Sequence, residues 1–489
     1  MQKPELLRII LSQQSFFQKE QDIIPRDLKI DSHLEGNETV MICGIRGCGK
    51  TSFLKWIADR VDGIKVYINF EDIRQEDLEL RNIQDIRDVK DIWNFQDILD
   101  IVSELYGNFG KEIEESEENG EKQVYYFLEE IQHIRLWERW LDNLYEDGIK
   151  VFVTGSNSNF LNSENGTFLQ DRARQLKLLP FSFKESLRLK GIEIPYLDFP
   201  NSPNPPNPPN SPNPPDSPGS SDSLDPSGED GIFSLFLRYF ENGGFPAVIK
   251  NDDAGLAGKY FEEILQKEVI ARYDIEDPGG LRELAVFLIS NVASEYSFET
   301  LKRVSGIGSE GTVRRYLDYL EEAFLLYRVP MLNHSPEKEG SGMAVGPGAA
   351  EKAASRKVYA GDTGFFKAVA SNYPDSLGLR FENLVFLELL RRRKEVSYFR
   401  DRKECDFVVR EAGAAKITEV IQVSTYFGNP AVRERELAGL LGAMKEYGLG
   451  EGLILTLADE EVLELECEGW GGKENRKIVV KPVWKWMLN

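Results

Sequence analysis

Between residues 39 and 180 the chain sets short apolar runs between longer polar stretches. Thr39–Cys43, Lys65–Phe70, Gln123–Leu128, Lys150–Thr154 and Gln175–Pro180 are too short for helices and rich in Val, Ile, Tyr, Phe and Leu. Such runs predict buried strands. Ser52–Ala58, after the first of them, spaces its apolar residues as a helix does. Strands alternating with helices predict an α/β fold around a parallel sheet. From 232 to 335 the period changes: Tyr260–Leu265 and Leu281–Val292 carry apolar residues at i, i+3 and i+4. A short helix over Ser297–Val304, a glycine turn Ser305–Gly308 and a helix capped by Ser309 and running through Leu326 form a helix-turn-helix outline. The C-terminal part predicts an amphipathic helix opened by Glu382 and ending in Arg391–Lys394, then strands over Glu404–Val409 and Ile417–Ser424.

Two segments interrupt these patterns. Residues 201–228 repeat Asn, Ser and Pro and then turn to Ser, Asp and Gly, a composition that favours extended polyproline II and cannot build a core. Residues 336–355 are rich in Gly, Ala, Glu and Lys and read as a flexible loop. The expected division is therefore 1–198, a first α/β domain; 199–231, a linker; 232–335, a helical and winged-helix-like domain; 336–355, a loop; and 356–489, a second α/β domain.

Charge narrows the options. The 489 residues carry a net charge of −23, and the mean field of such a chain repels a polyanion, which argues against coating nucleic acid non-specifically. Cys43, Cys48, Cys405 and Cys467 show neither metal spacing nor a secreted disulfide pattern, so free thiols in a reducing cytoplasm are expected. No apolar run approaches the length of a membrane span, and Lys3, Glu5 and Arg8 interrupt the hydrophobics of the N-terminus.

The candidate chemistry begins right after the first strand. Gly44-Ile45-Arg46-Gly47-Cys48-Gly49-Lys50-Thr51 fits the phosphate-binding loop G-x-x-x-x-G-K-[ST]. Glycines let backbone N–H groups curl around phosphates, and the following helix, which continues with Ser52, turns its positive end toward them. Lys50 reaches the β- and γ-phosphates, and the Thr51 hydroxyl suits Mg²⁺. An α/β fold with a P-loop NTPase parallel sheet, binding ATP with Mg²⁺, is the expectation. The third strand ends in Glu129 and Glu130, the first placed to order the metal's water shell and the second to activate water. Aspartate is usual at the first position. The longer Glu129 displaces the coordination, so slow hydrolysis is expected.

Ser156 and Asn157, at the tip of the fourth strand, are candidates for sensing the γ-phosphate, although an Asx turn accounts for the same residues. Arg172 or Arg174 could neutralise transition-state charge, in its own chain or in a neighbouring subunit.

Taken together, the loop with Arg46, Tyr67–Asp72, Leu128–Gln132, Thr154–Asn157 and Leu179–Glu185 resemble a family of archaeal and bacterial P-loop ATPases of the AAA superfamily. Gly243–Pro246, Thr312–Leu317 and Phe381–Val385 continue the resemblance along nearly the whole chain. It implies ATP binding, a winged-helix-like middle and a C-terminal domain of unknown role. The sequence departs from it at Glu129 and at Asp171, where a glycine is usual.

The C-terminal part is also similar to a restriction-nuclease core, in which two acids hold Mg²⁺ and a lysine assists the nucleophile. Glu382 and Asp406 fit the acids, but Gln422 stands at the second strand acid and Ser424 at the lysine. An inactive nuclease-like binding module is therefore expected, with Arg391–Lys394 as a contact patch or as compensation of a helix dipole.

The reading as a whole is a cytoplasmic ATPase acting as a switch or motor on a DNA or protein partner, with a homo-oligomer plausible by analogy and no membrane. Its rivals are an ATP-regulated metal-dependent nuclease and a nucleotide-binding scaffold with little hydrolysis.

Overall fold

The computed structural model describes residues 3–19, 22–72, 123–133, 137–158, 172–192, 228–332, 356–370, 376–468 and 473–489. The expected linker and loop lie almost wholly outside these residues, as does Asp171. The chain divides into two compact units. One comprises Met1–Pro180, Gly258–Phe287 and Ser297–Tyr327, and the other Phe181–Ala257, Leu288–Tyr296 and Arg328–Asn489. This division differs from boundaries at 198, 231 and 335. Much of the helical middle folds with the first α/β domain, while 232–257 packs with the C-terminal part.

The first unit is built on five parallel strands: β1 (Thr39–Cys43), β2 (Ile64–Asn69), β3 (Val124–Glu129), β4 (Lys150–Gly155) and β5 (Ala173–Lys177). Their order is β2-β3-β4-β1-β5, and β1 pairs in parallel with β4 and β5. Central strands of such a sheet are covered on both faces, which is why β1 and β4 are continuously buried rather than alternating. The five runs read from the sequence are these strands. The last is the least well placed, because the chain leaves the sheet after Lys177 and Leu178–Pro180 continue without strand pairing.

The open edge of β2 is closed by side chains of the helix Lys3–Phe17. Gln13 and Gln14 accept from the backbone N–H of Asn69 (3.1 Å) and Tyr67 (2.9 Å). The same amides donate to the carbonyls of Asn69 (2.9 Å) and Lys65 (2.8 Å). An edge strand left bare invites pairing with another chain; here two glutamines take its groups, and Phe17 stacks on Tyr67 at 4.1 Å.

The helical part of this unit includes Phe298–Ser305, Gly306 in the left-handed region, and Glu310–Glu322. Ser297 and Ser309 cap the two helices by accepting from Thr300 and Thr312. The second helix ends at Glu322 rather than Leu326. Phe324 has φ 58°, which no helix continues through, and Leu326–Pro330 is a strand.

The second unit carries a six-stranded mixed sheet. Its strands are Lys394–Arg400, Glu404–Glu411, Glu419–Ser424, Glu451–Thr456, Glu461–Glu468 and Lys473–Pro482. The helix Pro430–Tyr447 supplies Leu440, Ala443 and Met444 to a core shared with Phe399, Val408, Ile454 and Ile478. Glu382 does not open its helix as expected. The helix runs over Leu377–Arg391, so Glu382 sits a turn and more inside it and is buried. Gly243–Pro246 is a helix-to-helix joint, where Gly244 N–H donates to buried Asp362 at 2.8 Å.

Candidate functional site

Parallel strands bring the ends of β1, β3 and β4 to one edge of the sheet, and the predicted site residues follow those ends. The segment after β1 turns through Gly47 (φ 86°) and Gly49 (φ 97°) into the helix Lys50–Ala58. Gly44 is held by close approach: its N–H donates to Gly155 at 3.3 Å, and a Cβ on it would lie 2.1 Å from the Leu178 carbonyl oxygen. We expect Gly44→Ala to lower the thermal midpoint of this unit by an amount corresponding to about 1–3 kcal/mol and to weaken nucleotide binding, read by melting with and without ATP.

Lys50 is buried, donates to the Gly44 carbonyl at 3.0 Å and faces Glu130 at 3.4 Å. Burial is the largest influence and would lower its pKa, but the charges of Glu130, Cys48, Glu268 and Glu129 together outweigh it and the ammonium is held above its ordinary value. The Thr51 hydroxyl donates to Glu129 Oε1, and the Tyr67 hydroxyl donates to Glu129 Oε2 at 2.5 Å. Glu129 is nevertheless pushed up to about 7, because burial outweighs both hydrogen bonds.

Glu130 goes the other way. Its burial is overcome by Lys50, then by His133, Gln132 and Ser156, and it stays ionised well below the usual carboxylate range. Its backbone lies at φ 52° and its N–H donates to Thr154 Oγ1.

Two adjacent glutamates with opposite protonation preferences predict a pH signature. A folded-state pKa raised from about 4.5 to about 7 gives a stabilising contribution that is present below the lower value and lost as pH rises through the upper. Wild type should therefore lose about 3 kcal/mol relative to Glu129→Gln between pH 4.5 and 7.5, measured on the nucleotide-free protein by denaturation at each pH.

At the β4 tip, Ser156 Oγ lies 2.6 Å from Glu268 Oε2 and 3.0 Å from Glu130 Oε2, so one hydroxyl hydrogen stands between two carboxylates. Asn157 donates to the Tyr273 hydroxyl at 3.0 Å. Tyr273 donates in turn to Glu322 and stacks on Tyr319 at 3.8 Å. A hydrogen-bonded path therefore runs from the strand tip to the second helix of the helix-turn-helix.

Glu268 belongs to a π-helical turn, Ile264–Ile270, of the kind that recurs at functional sites. It also accepts from Arg272 (3.2 Å) and from Arg46 of the loop (3.2 Å). Arg46 grips Glu71 through two nitrogens (2.8 and 3.1 Å) and reaches Glu263 at 3.5 Å. Arg26 donates to the carbonyls of Cys48 (3.1 Å) and Leu179 (2.6 Å), bracing the loop from below. Ile45 and Cys48 are buried, the latter's thiol pushed up by that burial, and Ser52 is exposed.

Arg172 is not brought to this edge. It precedes β5, and its carbonyl accepts from Thr39 at the start of β1, so it lies at the opposite end of the sheet from the loop. Its guanidinium pairs with Asp142 and with Glu146 (2.7 Å). Arg174 pairs with Glu38 at 3.0 Å. A site role within the same chain is excluded for Arg172 by this geometry. Glu268, Glu263, Tyr273 and Arg26 are members of the site that sequence reasoning did not single out.

In the second unit, Glu382 and Asp406 meet around a residue not anticipated at all, Lys357. Its Nζ lies 2.8 Å from Glu382, 2.6 Å from Glu404 and 4.0 Å from Asp406. Gln422 donates to buried Glu436 at 2.6 Å and accepts from the Asp406 N–H at 3.3 Å. Among the described residues, no three His, Cys, Asp or Glu side chains are arranged to hold a metal ion.

Residues 36–187 match the family described as AAA domain, and residues 234–376 match a family described only as a domain of unknown function, DUF8612. Uncharacterized protein MJ1544 of Methanocaldococcus jannaschii is 27% identical over 488 residues, 96% of this chain and 92% of that protein. An uncharacterized protein of Haemophilus influenzae is 26% identical over 406 residues, 80% and 82% respectively. Among solved structures, the Thermotoga maritima RuvB Holliday junction branch migration motor aligns at TM-score 0.27 and 12% identity over 67% of this chain and 89% of its own. Aeropyrum pernix ORC1 in complex with DNA aligns at 0.27 and 9%, over 72% and 95%. Such scores add nothing to what the strand order already defines. The domain match and the strand–loop–helix geometry agree on a P-loop domain of the AAA type in the first unit. No described helix is long and apolar enough to cross a membrane.

Proposed function

We propose that the chain is an Mg²⁺-dependent ATP hydrolase that works as a nucleotide-controlled switch on a DNA or protein partner. The observation that carries this reading is the convergence of Lys50, Thr51, Glu129, Glu130 and Ser156 at one edge of the parallel sheet. The donor set fits ATP with Mg²⁺: a lysine on a glycine cradle for phosphates, and a hydroxyl beside a carboxylate, Thr51 and Glu129, for the metal. Thr51 and Glu129 would hold the Mg²⁺, which would supply charge neutralisation at the phosphates.

Glu130 accepts a proton from the attacking water as the new O–P bond forms and the bond to the departing ADP oxygen breaks, leaving ADP and phosphate. Lys50 holds Glu130 ionised but weakly basic. Phosphates that attract Lys50 withdraw that counter-charge and make Glu130 a stronger base when the substrate is present. Ser156 and Asn157 read the terminal phosphate, and Tyr273 relays the state to Glu322.

The partner surface in this reading includes the helix Glu310–Glu322. Arg314 there is engaged by Glu310 (2.6 Å) and lies over Phe298 at 3.8 Å, and with Asp318, Glu321 and Glu322 following, a protein suits it better than DNA. Arg172 serves a nucleotide site only from a neighbouring copy in a homo-oligomer. A second reading, a scaffold that binds nucleotide with little hydrolysis, is favoured by the mutual satisfaction of Thr51 with Glu129 and Lys50 with Glu130.

The test is steady-state Mg²⁺-ATP hydrolysis with and without duplex DNA, with Glu130→Gln as the blank. Turnover above the blank supports the hydrolase, and stimulation by DNA would make the helix-turn-helix a nucleic-acid surface. ATP binding without turnover favours the scaffold.

A further inference from the structure

Lys357 is among the most deeply buried charged side chains of the second unit, 3% exposed, and it lies on the strand Arg356–Ala360. Its ammonium contacts Glu382 from the helix Leu377–Arg391, and Glu404 and Asp406 from the strand Glu404–Glu411. Glu382 Oε1 is further tied by the Tyr359 hydroxyl at 2.7 Å, and Asp406 Oδ2 accepts from the Val423 N–H at 2.9 Å. One helix and one strand thus direct three carboxylates toward one small cation, with Glu382 and Asp406 each fixed by a further hydrogen bond.

An uncompensated carboxylate in a protein interior costs several kcal/mol, so such a ring persists only around positive charge. A divalent ion held by carboxylates from a helix and a neighbouring strand is one solution. This chain has another, a cation covalently attached to its own backbone. The two solutions compete for the same oxygens, and Lys357 Nζ already takes those of Glu382 and Glu404.

We propose that Lys357 is a tethered cation occupying the carboxylate site of the C-terminal domain, so that the domain takes no divalent metal and performs no metal-dependent hydrolysis there. The acids Glu382 and Asp406, which alone suggest metal ligands, are retained to hold an ammonium that fastens the strand Arg356–Ala360 to the helix and sheet. Removing that ammonium leaves three inward-facing carboxylates, a donor set for Mn²⁺ or Mg²⁺.

The test is Mn²⁺ titration of the full-length, nucleotide-free protein, followed by the electron paramagnetic resonance of free Mn²⁺. Wild type and Asp406→Asn should bind Mn²⁺ alike, because neither offers the site. Lys357→Ala should gain a Mn²⁺ site that disappears in Lys357→Ala/Asp406→Asn, and Mn²⁺ should raise its thermal midpoint by several degrees. Lys357→Ala/Glu404→Gln, which buries less uncompensated charge, serves the same comparison if the single variant does not fold. An Asp406-dependent Mn²⁺ site in the wild type would overturn the proposal, since ammonium and metal would then coexist as in a metal-dependent nuclease. A folded Lys357 variant that gains no Mn²⁺ would overturn it equally, since the acids would not be a cation site at all.

Discussion

Glu130→Gln should lower steady-state ATP hydrolysis by about 10²–10⁴-fold, the usual range for removing a positioned general base, while leaving ATP affinity within a few-fold. The substitution keeps the shape of the side chain and its contacts with Gln132 and Ser156. It removes the proton acceptor and also the charge that faces Lys50 at 3.4 Å. The second effect predicts the direction of the small affinity change. Lys50 freed from a buried carboxylate is available to phosphate, so the variant should bind ATP as tightly as wild type or more tightly. Equilibrium binding of a fluorescent ATP analogue and release of phosphate, measured on the same preparation, separate the two. Loss of binding together with turnover would mean that Glu130 holds the loop together rather than acting on water.

The same residue shows where sequence reasoning works and where it stops. The phosphate loop was legible because its chemistry constrains consecutive positions: Gly47 and Gly49 need left-handed backbone, Gly44 has no room for a Cβ, and Lys50 and Thr51 follow at fixed spacing. The strands were legible because parallel strands covered on both faces are continuously apolar. Glu129 and Glu130 were found because they end such a strand.

The distance of Arg172 from the loop of its own chain was not legible for a related reason. An apolar run marks a strand without saying which end a flanking residue will occupy relative to the loop, and Arg172 precedes β5 whereas the phosphate loop, Glu129, Glu130, Ser156 and Asn157 lie at the far ends of β1, β3 and β4. Asp142 and Glu146, its partners, lie on the helix Trp137–Glu146 and have no local signature pointing to it.

The less legible members share long sequence separations. Glu268 is 112 residues from Ser156, and Tyr273 is 116 from Asn157. Tertiary packing alone brings them to the β4 tip. Lys357 was missed because a lysine was sought two positions after Gln422, on the strand where nuclease-like sequences carry it. The ammonium comes instead from a strand on the other side of the helix in the sequence. The glutamine that displaced the expected acid has its own employment, donating to Glu436. In the second unit, then, the acids were easier to find than the cation that answers them, and in the first unit the motif gave Lys50 and Arg46 but not the acid Glu268.

The missed acid Glu268 has the largest expected consequence. This carboxylate takes Arg46 from the phosphate loop and the hydroxyl of Ser156 from the strand tip, and it is itself buried. In the proposed function a bound nucleotide presents its own anionic oxygens to the same two groups, so binding there would displace Glu268 or be opposed by it. Two anions competing for one arginine behave as a coupling free energy, typically about 1–3 kcal/mol, or 5–150-fold in affinity. Glu268→Gln should therefore tighten ATP binding by a factor in that range, and ADP binding by less, because in the proposed function Ser156 reads the terminal phosphate. It should also weaken the response of the helix Glu310–Glu322 to nucleotide, since the π-helical turn carrying residue 268 no longer has a charge to surrender. Titrations with ATP and ADP give the first effect. Hydrogen exchange of residues 310–322 with and without ATP gives the second. Affinity unchanged or weakened for both nucleotides would show that Glu268 holds Arg46 in its binding posture and does not compete with phosphate.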